Sequence, residues 1–284
     1  MRRSRVPFVP RFRYVVADVF TDTPLQGNQV AVFTDARDIP EAQLQQLARE
    51  VNFSETVFVY PPAGEGHVRL RIFTPSQELP FAGHPVLGTA FVLAGPLQLV
   101  EIRLETGNGI VPIELEREGA RIRFGRMLQP TPTISPFEQT EELLAALGGV
   151  ESQLPVELYD NGVPHVFVAL ASREQVAALQ PDFGALEKLG AYGINCFAGE
   201  GASWKTRMFG IGIGMVEDPA TGSAAGPLAL HLVRHGRLAY GEPIEIVQGE
   251  EINRRSVLHA TVYSEGQIEV GGSAVIVARG EFQL

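Results

Sequence analysis

The chain has a single cysteine, Cys196, which excludes an intramolecular disulfide and any zinc cluster built from several thiolates. It also lacks a run of eighteen apolar residues, so no segment reads as a membrane-spanning helix. Three arginines crowd Met1 to Arg5, but Pro7, Pro10 and Arg11 interrupt the next residues, and the apolar core of a signal peptide is missing. A cytoplasmic location is the expectation. Positive charge is scarce, with 23 Lys and Arg against 33 Asp and Glu and a net charge of -10. That balance argues against a nucleic-acid groove or an anionic membrane as the main partner, yet leaves room for a local site that binds a small anion.

What is abundant points to sheet. Of 284 residues 45% are hydrophobic, enough for a sizeable core, and 30 glycines with 20 prolines suit a turn-rich, β-rich fold. Strands are expected at Tyr14 to Phe20 and Val30 to Phe33, joined by turn chemistry at Pro24, Gly27 and Asn28. A helix comes next, with Asp38 as N-cap and Glu41 reaching back, its apolar face formed by Leu44, Leu47, Ala48 and Val51. Val57 to Tyr60 and Val68 to Phe73 read as strands. Beyond them Pro85 suits the first position of a helix over Pro85 to Leu93, with His84 as N-cap. That helix is apolar on nearly every side and should be buried. Leu99 to Thr106, Ile110 to Glu116 and Ala120 to Phe124 form a meander with turns at Gly107 to Gly109 and Glu118-Gly119. The proline-rich stretch 126–139 reads as a linker. It divides an N-terminal half, 1–128, completed by a last strand at 272–284, from a C-terminal half, 129–271. In the second half, helices are expected near Thr140 to Leu147 and Arg173 to Leu179, and strands at Val156 to Tyr159 and His165 to Leu170.

The halves echo one another. ELPFAGHP at 78–85 and EDPATGSA at 217–224 share Glu-x-Pro-x-x-Gly-polar at an offset of 139. Each is followed by an apolar helix and preceded by an Arg-apolar-Phe strand, Arg71 to Phe73 and Arg207 to Phe209, with three extra residues in the second copy. Gly27-Asn28-Gln29 and Gly162-Val163-Pro164 open matching strands. An internal duplication explains this order. Gly-polar at the head of a buried helix is an anion site, because the first N–H groups lack internal partners and the helix dipole adds about half a positive charge. Alone, either copy reads better as a good cap, and the second copy reverses that preference. As a pair facing one cleft, Gly83-His84 and Gly222-Ser223 would hold a carboxylate without arginine.

Chemistry at such a site requires a proton carrier, and Glu55, Glu78, His84, Glu217 and Asp218 are the candidates. Glu55 has apolar neighbours, Phe53, Val57 and Phe58, of the kind that raises a carboxyl's pKa towards neutrality; its alternative is a solvated carboxylate at a strand end.

Long segments carry a family resemblance over essentially the whole chain: FTDTPLQGNQVAVF, NFSETVFV, RIFTPSQELPFAGHPVLGTA, ETGNGIVPIELE and GMVEDPATGSAAGPLALHL. In these the sequence resembles the phenazine-biosynthesis PhzF-like family, whose fold is similar to diaminopimelate epimerase. The resemblance implies an α+β protein of two pseudo-symmetric half-domains, each a β-barrel-like sheet wrapped around a central buried helix. It implies an isomerase that moves a proton on a small, cyclic carboxylic acid without metal or organic cofactor, and a homodimer. By position, Glu55 matches the family's acid/base glutamate, while Gly83, His84, Asp218, Gly222 and Ser223 match residues that contact substrate. Catalysis would fall to Glu55, Asp218 and His84, and carboxylate binding to Gly83, Gly222 and Ser223. One departure is Gln29, where the family usually has proline, which is expected to loosen the turn at the rim of the site. A two-thiol epimerase on the same fold would need cysteines where Ala82 and Thr221 stand. A carboxylate-binding protein without turnover is the remaining alternative.

Other signals are weaker. His231 and His235 are four apart on a helix, but HExxH is absent and no third ligand is evident. Gly210-x-Gly212-x-Gly214 has its third glycine misplaced for a dinucleotide fingerprint and reads as a loop beside Asp218. Cys196 reads as a buried hydrophobe and His165 as structural, close to the cleft. Trp204 suits either packing or a place in the cleft wall.

Overall fold

In the computed structural model the described residues are 10–263 and 266–284, so the arginine-rich start at Met1 to Arg5 lies outside them. The first run of elements is β1 (Arg11–Val19), β2 (Asn28–Phe33), α1 (Glu41–Val51), β3 (Glu55–Tyr60), β4 (Val68–Phe73), β5 (Glu78–Leu79), α2 (Gly83–Leu97), β6 (Glu101–Thr106), β7 (Gly109–Glu118) and β8 (Arg121–Gln129). The second begins with β9 (Thr133–Pro136), α3 (Thr140–Ala146), β10 (Glu157–Asp160), β11 (Pro164–Ala169), α4 (Arg173–Ala177) and α5 (Phe183–Leu189). It continues through β12 (Gly193–Glu200), β13 (Ser203–Gly210), β14 (Met215–Asp218), α6 (Gly222–Arg234), β15 (Ile244–Gln248), β16 (Ser256–Val262), β17 (Ile268–Gly272) and β18 (Ala274–Gln283).

The pairing repeats. β2 and β3 are parallel, β3 and β4 antiparallel, and β4 and β6 parallel across α2. β11 and β12, β12 and β13, and β13 and β15 reproduce that order, with α6 in the place of α2. The two sheets join where β8 runs antiparallel to β17, Met127 facing Val270. β18 returns to the first sheet along β1, from Ala274 opposite Val19 to Gln283 opposite Arg11, with one register slip at Val16/Ala17.

Each sheet closes around its helix. α2 packs on β1, β2, β3, β6, β8 and β18, and α6 on β11, β16 and β17. Val86, Leu87 and Ala90 of α2 and Ala229 and Leu232 of α6 have no solvent exposure. Burying each of the larger ones stabilises the fold by about 1.5–3 kcal/mol. Among the described residues no helix is long and apolar enough to cross a membrane.

Several elements differ from the sequence expectation. α1 starts at Glu41 behind Pro40 and has no side-chain cap; Glu41 is drawn instead to Arg71, 2.6 Å away, so Asp38 and Glu41 form no capping box. α2 begins at Gly83, two residues before Pro85. This puts His84 inside the first turn rather than at the cap, which is Ala82. The helix also runs on to Leu97, closed by Gln98 in a left-handed conformation whose N–H bonds Ala94 and Gly95. The stretch 126–139 is not a loose linker. β8 continues to Gln129 because Met127 and Gln129 alternate inward, and β9 pairs with β10 beyond Pro132. α5, capped by Asp182 on Ala185 N–H, is an element the sequence reading lacked.

Candidate active site

The two buried helices meet head to head. A Cβ on Gly83 would lie 3.3 Å from Gly222 C and Ser223 N, and one on Gly222 would lie 3.3 Å from His84 N and 3.1 Å from the Phe20 ring. Glycine at both helix starts is what lets the backbones approach so closely. Their unpaired N–H groups and the positive ends of two dipoles therefore share one region. A cavity of about 310 Å³ opens there, and all six residues singled out from the sequence line it: Glu55, Gly83 and His84 from the first half, Asp218, Gly222 and Ser223 from the second. A larger, more open groove of about 760 Å³, bounded by Thr21, Glu245, Arg255 and His259, contains none of them.

Glu55 is the first residue of β3, paired with Val30, rather than a residue before the strand. It is buried, and its Oε2 has no hydrogen-bond partner. Burial, and secondarily the Asp218 charge, raise its pKa to about 8. Asp218 ends β14 and is equally buried. Its Oδ1 accepts from Asn28 Nδ2 at 2.9 Å and its Oδ2 from Thr221 Oγ1 at 2.7 Å. Burial raises its pKa to about 6, against the lowering effect of hydrogen bonds from Thr221, Asn28 and Ser54. Near neutral pH the two carboxyls are thus set apart, Glu55 carrying a proton and Asp218 mostly ionised.

His84 is neutral, its pKa pushed down to about 3 by burial, with the Gln29 backbone hydrogen bond opposing. Its Nε2 lies 3.2 Å from the Gln29 carbonyl and its Nδ1 3.4 Å from Asn28 Nδ2. Gln29 acts at the site through its backbone and pairs with Asp18 in the β1–β2 ladder.

The supports of these groups come from far along the chain. Asn28 Nδ2 also donates to the Ala220 carbonyl at 2.9 Å, so one amide spans β2, Asp218 and the approach to α6. Gln248 Nε2 donates to the Asp218 carbonyl at 2.7 Å, and its Oε1 accepts from Thr221 N. Gln129 Nε2 donates to the Gly222 carbonyl at 2.8 Å. From sequence, Ser54, Gln129 and Gln248 carried no role, although Ser54, like Asn28, lies inside a quoted motif.

Glu78 and Glu217 are not free proton carriers. Arg71 grips Glu78 at 2.6 Å and Arg207 grips Glu217 at 2.8 Å, so the repeated Arg and Glu are one ion pair used twice. Ala82 and Thr221 immediately precede the two helices and line the cavity, and neither supplies a thiol. Cys196 is buried on β12, with its pKa pushed up to about 12 by burial. Trp204 is buried against Phe197 and donates to the Gly201 carbonyl, a packing role. Gly210 to Gly214 form a short 3₁₀ turn whose Ile213 reaches the cavity wall. His165, read from sequence as structural, lines the cavity with Nε2 2.9 Å from Ser223 Oγ.

His231 and His235 do acquire a third neighbour, Glu157, with their donor atoms within 4.8 Å of one another. The three are partnered among themselves: His235 Nε2 lies 2.9 Å from Glu157 Oε2, which also accepts from Tyr159 Oη at 2.9 Å. Arg234 stands 3.4 Å from the same carboxylate. The cluster ties the far end of α6 to β10 and already carries a cation on Glu157.

A family model described as "Phenazine biosynthesis-like protein" matches residues 17–280. The chain is similar to the trans-2,3-dihydro-3-hydroxyanthranilate isomerase of Pseudomonas fluorescens, 48% identical over 95% of this chain and 99% of that one. The enzyme of the same name from Pseudomonas aeruginosa is 49% identical over 96% and 99%. Among solved structures, a phenazine biosynthesis protein of the PhzF family from Bacillus anthracis superposes with a TM-score of 0.84 at 25% identity, covering 97% of this chain and all of that one. A hydroxyproline epimerase from Agrobacterium vitis, with a TM-score of 0.65 at 12% identity over 98% and 93%, shares the fold.

Proposed function

The chain belongs to the phenazine biosynthesis-like family, and from that premise we propose that it isomerises trans-2,3-dihydro-3-hydroxyanthranilate or a close cyclic amino carboxylic acid by moving one proton. The observation that carries the proposal is Glu55: a buried carboxyl, without a hydrogen bond of its own, on the wall of a cavity that two helix starts also line. A protein that merely bound carboxylates would gain nothing from an acid placed there.

In the proposed reaction the carboxylate of the substrate lies against the N–H groups of Gly83, Gly222 and Ser223, where aligned dipoles and unpaired donors favour negative charge. Glu55, protonated near neutral pH, gives its proton to one ring carbon, and the resulting carboxylate takes a proton from another. The proton count is unchanged and the double bonds have moved. Asp218, ionised and held by Asn28 and Thr221, stabilises positive charge that develops as the ring accepts the proton. His84, neutral, orients the substrate beside Glu55. Both proton-transfer steps use side chains of this chain alone. Exclusion of water by the halves, 1–128 with 272–284 and 129–271, would prevent the proton from leaking to solvent. The proposal includes a cytoplasmic homodimer.

The test is deuterium exchange in D₂O into trans-2,3-dihydro-3-hydroxyanthranilate and a panel of cyclic amino acids, wild type against Glu55→Gln. Exchange confined to wild type supports the proposal. Binding without exchange in either protein would favour a carboxylate-binding role, and equal exchange in both would remove Glu55 from the mechanism.

A further inference from the structure

Ser223 stands second in α6, and the orientation of its hydroxyl is set from behind. His165, fully buried on β11, places Nε2 2.9 Å from Ser223 Oγ. Its other nitrogen, Nδ1, lies 3.4 Å from the Asn195 amide nitrogen. Which end of that amide faces the ring is fixed by its surroundings, because it points at the carbonyl oxygens of Gly193, at 2.9 Å, and Val166, at 3.5 Å. A flipped amide would set oxygen against oxygen at both places. Nδ1 therefore faces a donor, keeps its lone pair and leaves the ring proton on Nε2. The Gly193 carbonyl also lies beside the ring, but the hydrogen bond that geometry gives Nδ1 is the one to the Asn195 amide. Nε2–H then donates to Ser223 Oγ, and the serine's own proton is left to point into the cavity.

We propose that His165 is a positioning residue that makes Ser223 a dedicated hydrogen-bond donor to the substrate carboxylate. That inference rests on the proposed function, in which the start of α6 holds the carboxylate. A free hydroxyl is donor and acceptor alike, and only its donor orientation attracts a carboxylate. With a lone pair of Oγ occupied by His165, the favourable orientation needs no ordering when ligand arrives. Burial pushes the imidazole pKa down to about 3, so the ring stays neutral and the arrangement is the same throughout the physiological range. Asn161 holds the backbone of the same turn, its Nδ2 donating to the Ser223 carbonyl at 2.9 Å. Across the cavity His84 takes the same tautomer through its other nitrogen, whose N–H donates to the Gln29 carbonyl at 3.2 Å.

Two measurements test it together: ¹⁵N NMR of the imidazoles in the full-length protein, and binding of anthranilate, an unreactive aromatic carboxylate, alongside turnover. The wild-type spectrum should show His165 protonated on Nε2 and not titrating between pH 5 and 8. His165→Leu should weaken anthranilate binding and raise KM by about tenfold, with kcat changed less than about threefold, the signature of lost ground-state binding. Ser223→Ala should do the same, and the double variant should be no worse than Ser223→Ala. His165→Gln, whose amide restores a donor near Nε2, should recover affinity to within about threefold of wild type. An Nδ1–H tautomer, unchanged affinity in a folded His165→Leu protein, multiplying effects in the double variant, no recovery with Gln, or no anthranilate binding by wild type would each overturn the inference. Carboxylate binding that depends on His165 in a protein that exchanges no deuterium would leave it standing while removing the isomerase proposal. The converse pattern would remove it alone.

Discussion

Glu55 and His84 approach within 3.3 Å, Oε2 to Nε2, and share no hydrogen bond. The histidine's ring proton is directed to the Gln29 carbonyl instead, so the carboxyl is left with burial and no compensating donor. An acid in that condition holds its proton to higher pH and has no partner to give up when a substrate carbon arrives. Asp218, in the same cavity, is the opposite case, with donors on both oxygens. Two carboxyls with such different surroundings divide acid and anion between them.

Replacing Glu55 by Gln should remove the proton carrier and keep the shape. Turnover is expected to fall by about 10²–10⁴-fold, the usual worth of a positioned acid or base, while affinity for the carboxylate is retained or improved. Isothermal titration with anthranilate, run beside the exchange assay, separates the two quantities. A variant that loses both has lost its fold or its pocket, which circular dichroism would show.

The activity profile should be bell-shaped, with limbs near pH 6 and pH 8, because Asp218 must be ionised and Glu55 protonated. Asp218→Asn should abolish the acidic limb and lower kcat. A profile flat from pH 5 to 9 would show that these carboxyls do not govern the rate.

Stability should carry the same signature with a definite sign. Folded, Glu55 keeps its proton to about pH 8; unfolded, it loses the proton from its ordinary 4.5 upwards. Over that window the folded state binds the extra proton, so this group's contribution falls as pH rises and levels off above pH 8. At about 1.4 kcal/mol per pH unit the total is on the order of a few kcal/mol. Denaturation curves of wild type and Glu55→Gln should therefore diverge between pH 5 and 8, the variant becoming relatively more stable.

How much of this was written in the sequence depends on distance along the chain. The duplication was legible because both copies of Glu-x-Pro-x-x-Gly stand at the head of an apolar helix, and local pattern suffices to see that. Glu55 was legible as a candidate through its apolar neighbours, and its burial goes with its place as the first residue of β3. Asn28 was visible only as turn chemistry, because its partner Asp218 is 190 residues away. Gln248 and Asn195 left no local trace, and the link from His165 to Ser223 was not legible either, since it comes from elements that meet only after the sheets close. Glu157 was missed beside His231 and His235 for the same reason. The capping box at Asp38 failed because a tertiary partner, Arg71, outcompeted the backbone for Glu41.

Crowding at the helix starts gives a prediction about binding. In Gly222→Ala the new methyl would sit 3.1 Å from the Phe20 ring and 3.3 Å from His84 N, so the two helix heads must separate by a few tenths of an ångström. Substrate KM should rise by about tenfold or more, because misplacement of donors on that scale is felt at a clamped carboxylate. Thermal stability should change by about 1 kcal/mol, within the usual range for a crowded glycine. An unchanged KM would show that the carboxylate binds elsewhere.

The duplicated ion pairs should differ in value even though the sequence makes them look alike. Arg207 and Glu217 are both buried, and Arg207 also donates to the Ala177 and Leu179 carbonyls at the end of α4. Arg71 is about a quarter exposed, and its partners Glu78 and Glu41 are more so. Removing Arg207 alone strands a buried carboxylate beside Asp218 and should cost about 3–5 kcal/mol, while Arg71→Met should cost about 1 kcal/mol or less. Urea denaturation of the two variants measures the difference. Because Glu217 adjoins Asp218, Arg207→Met should also move the acidic limb of the activity profile upwards, through the uncompensated negative charge, and Arg71→Met should leave it in place. Equal effects of the two substitutions would mean that the pairs serve the sheets alone, and that Glu217 does not influence the carboxylate next to it.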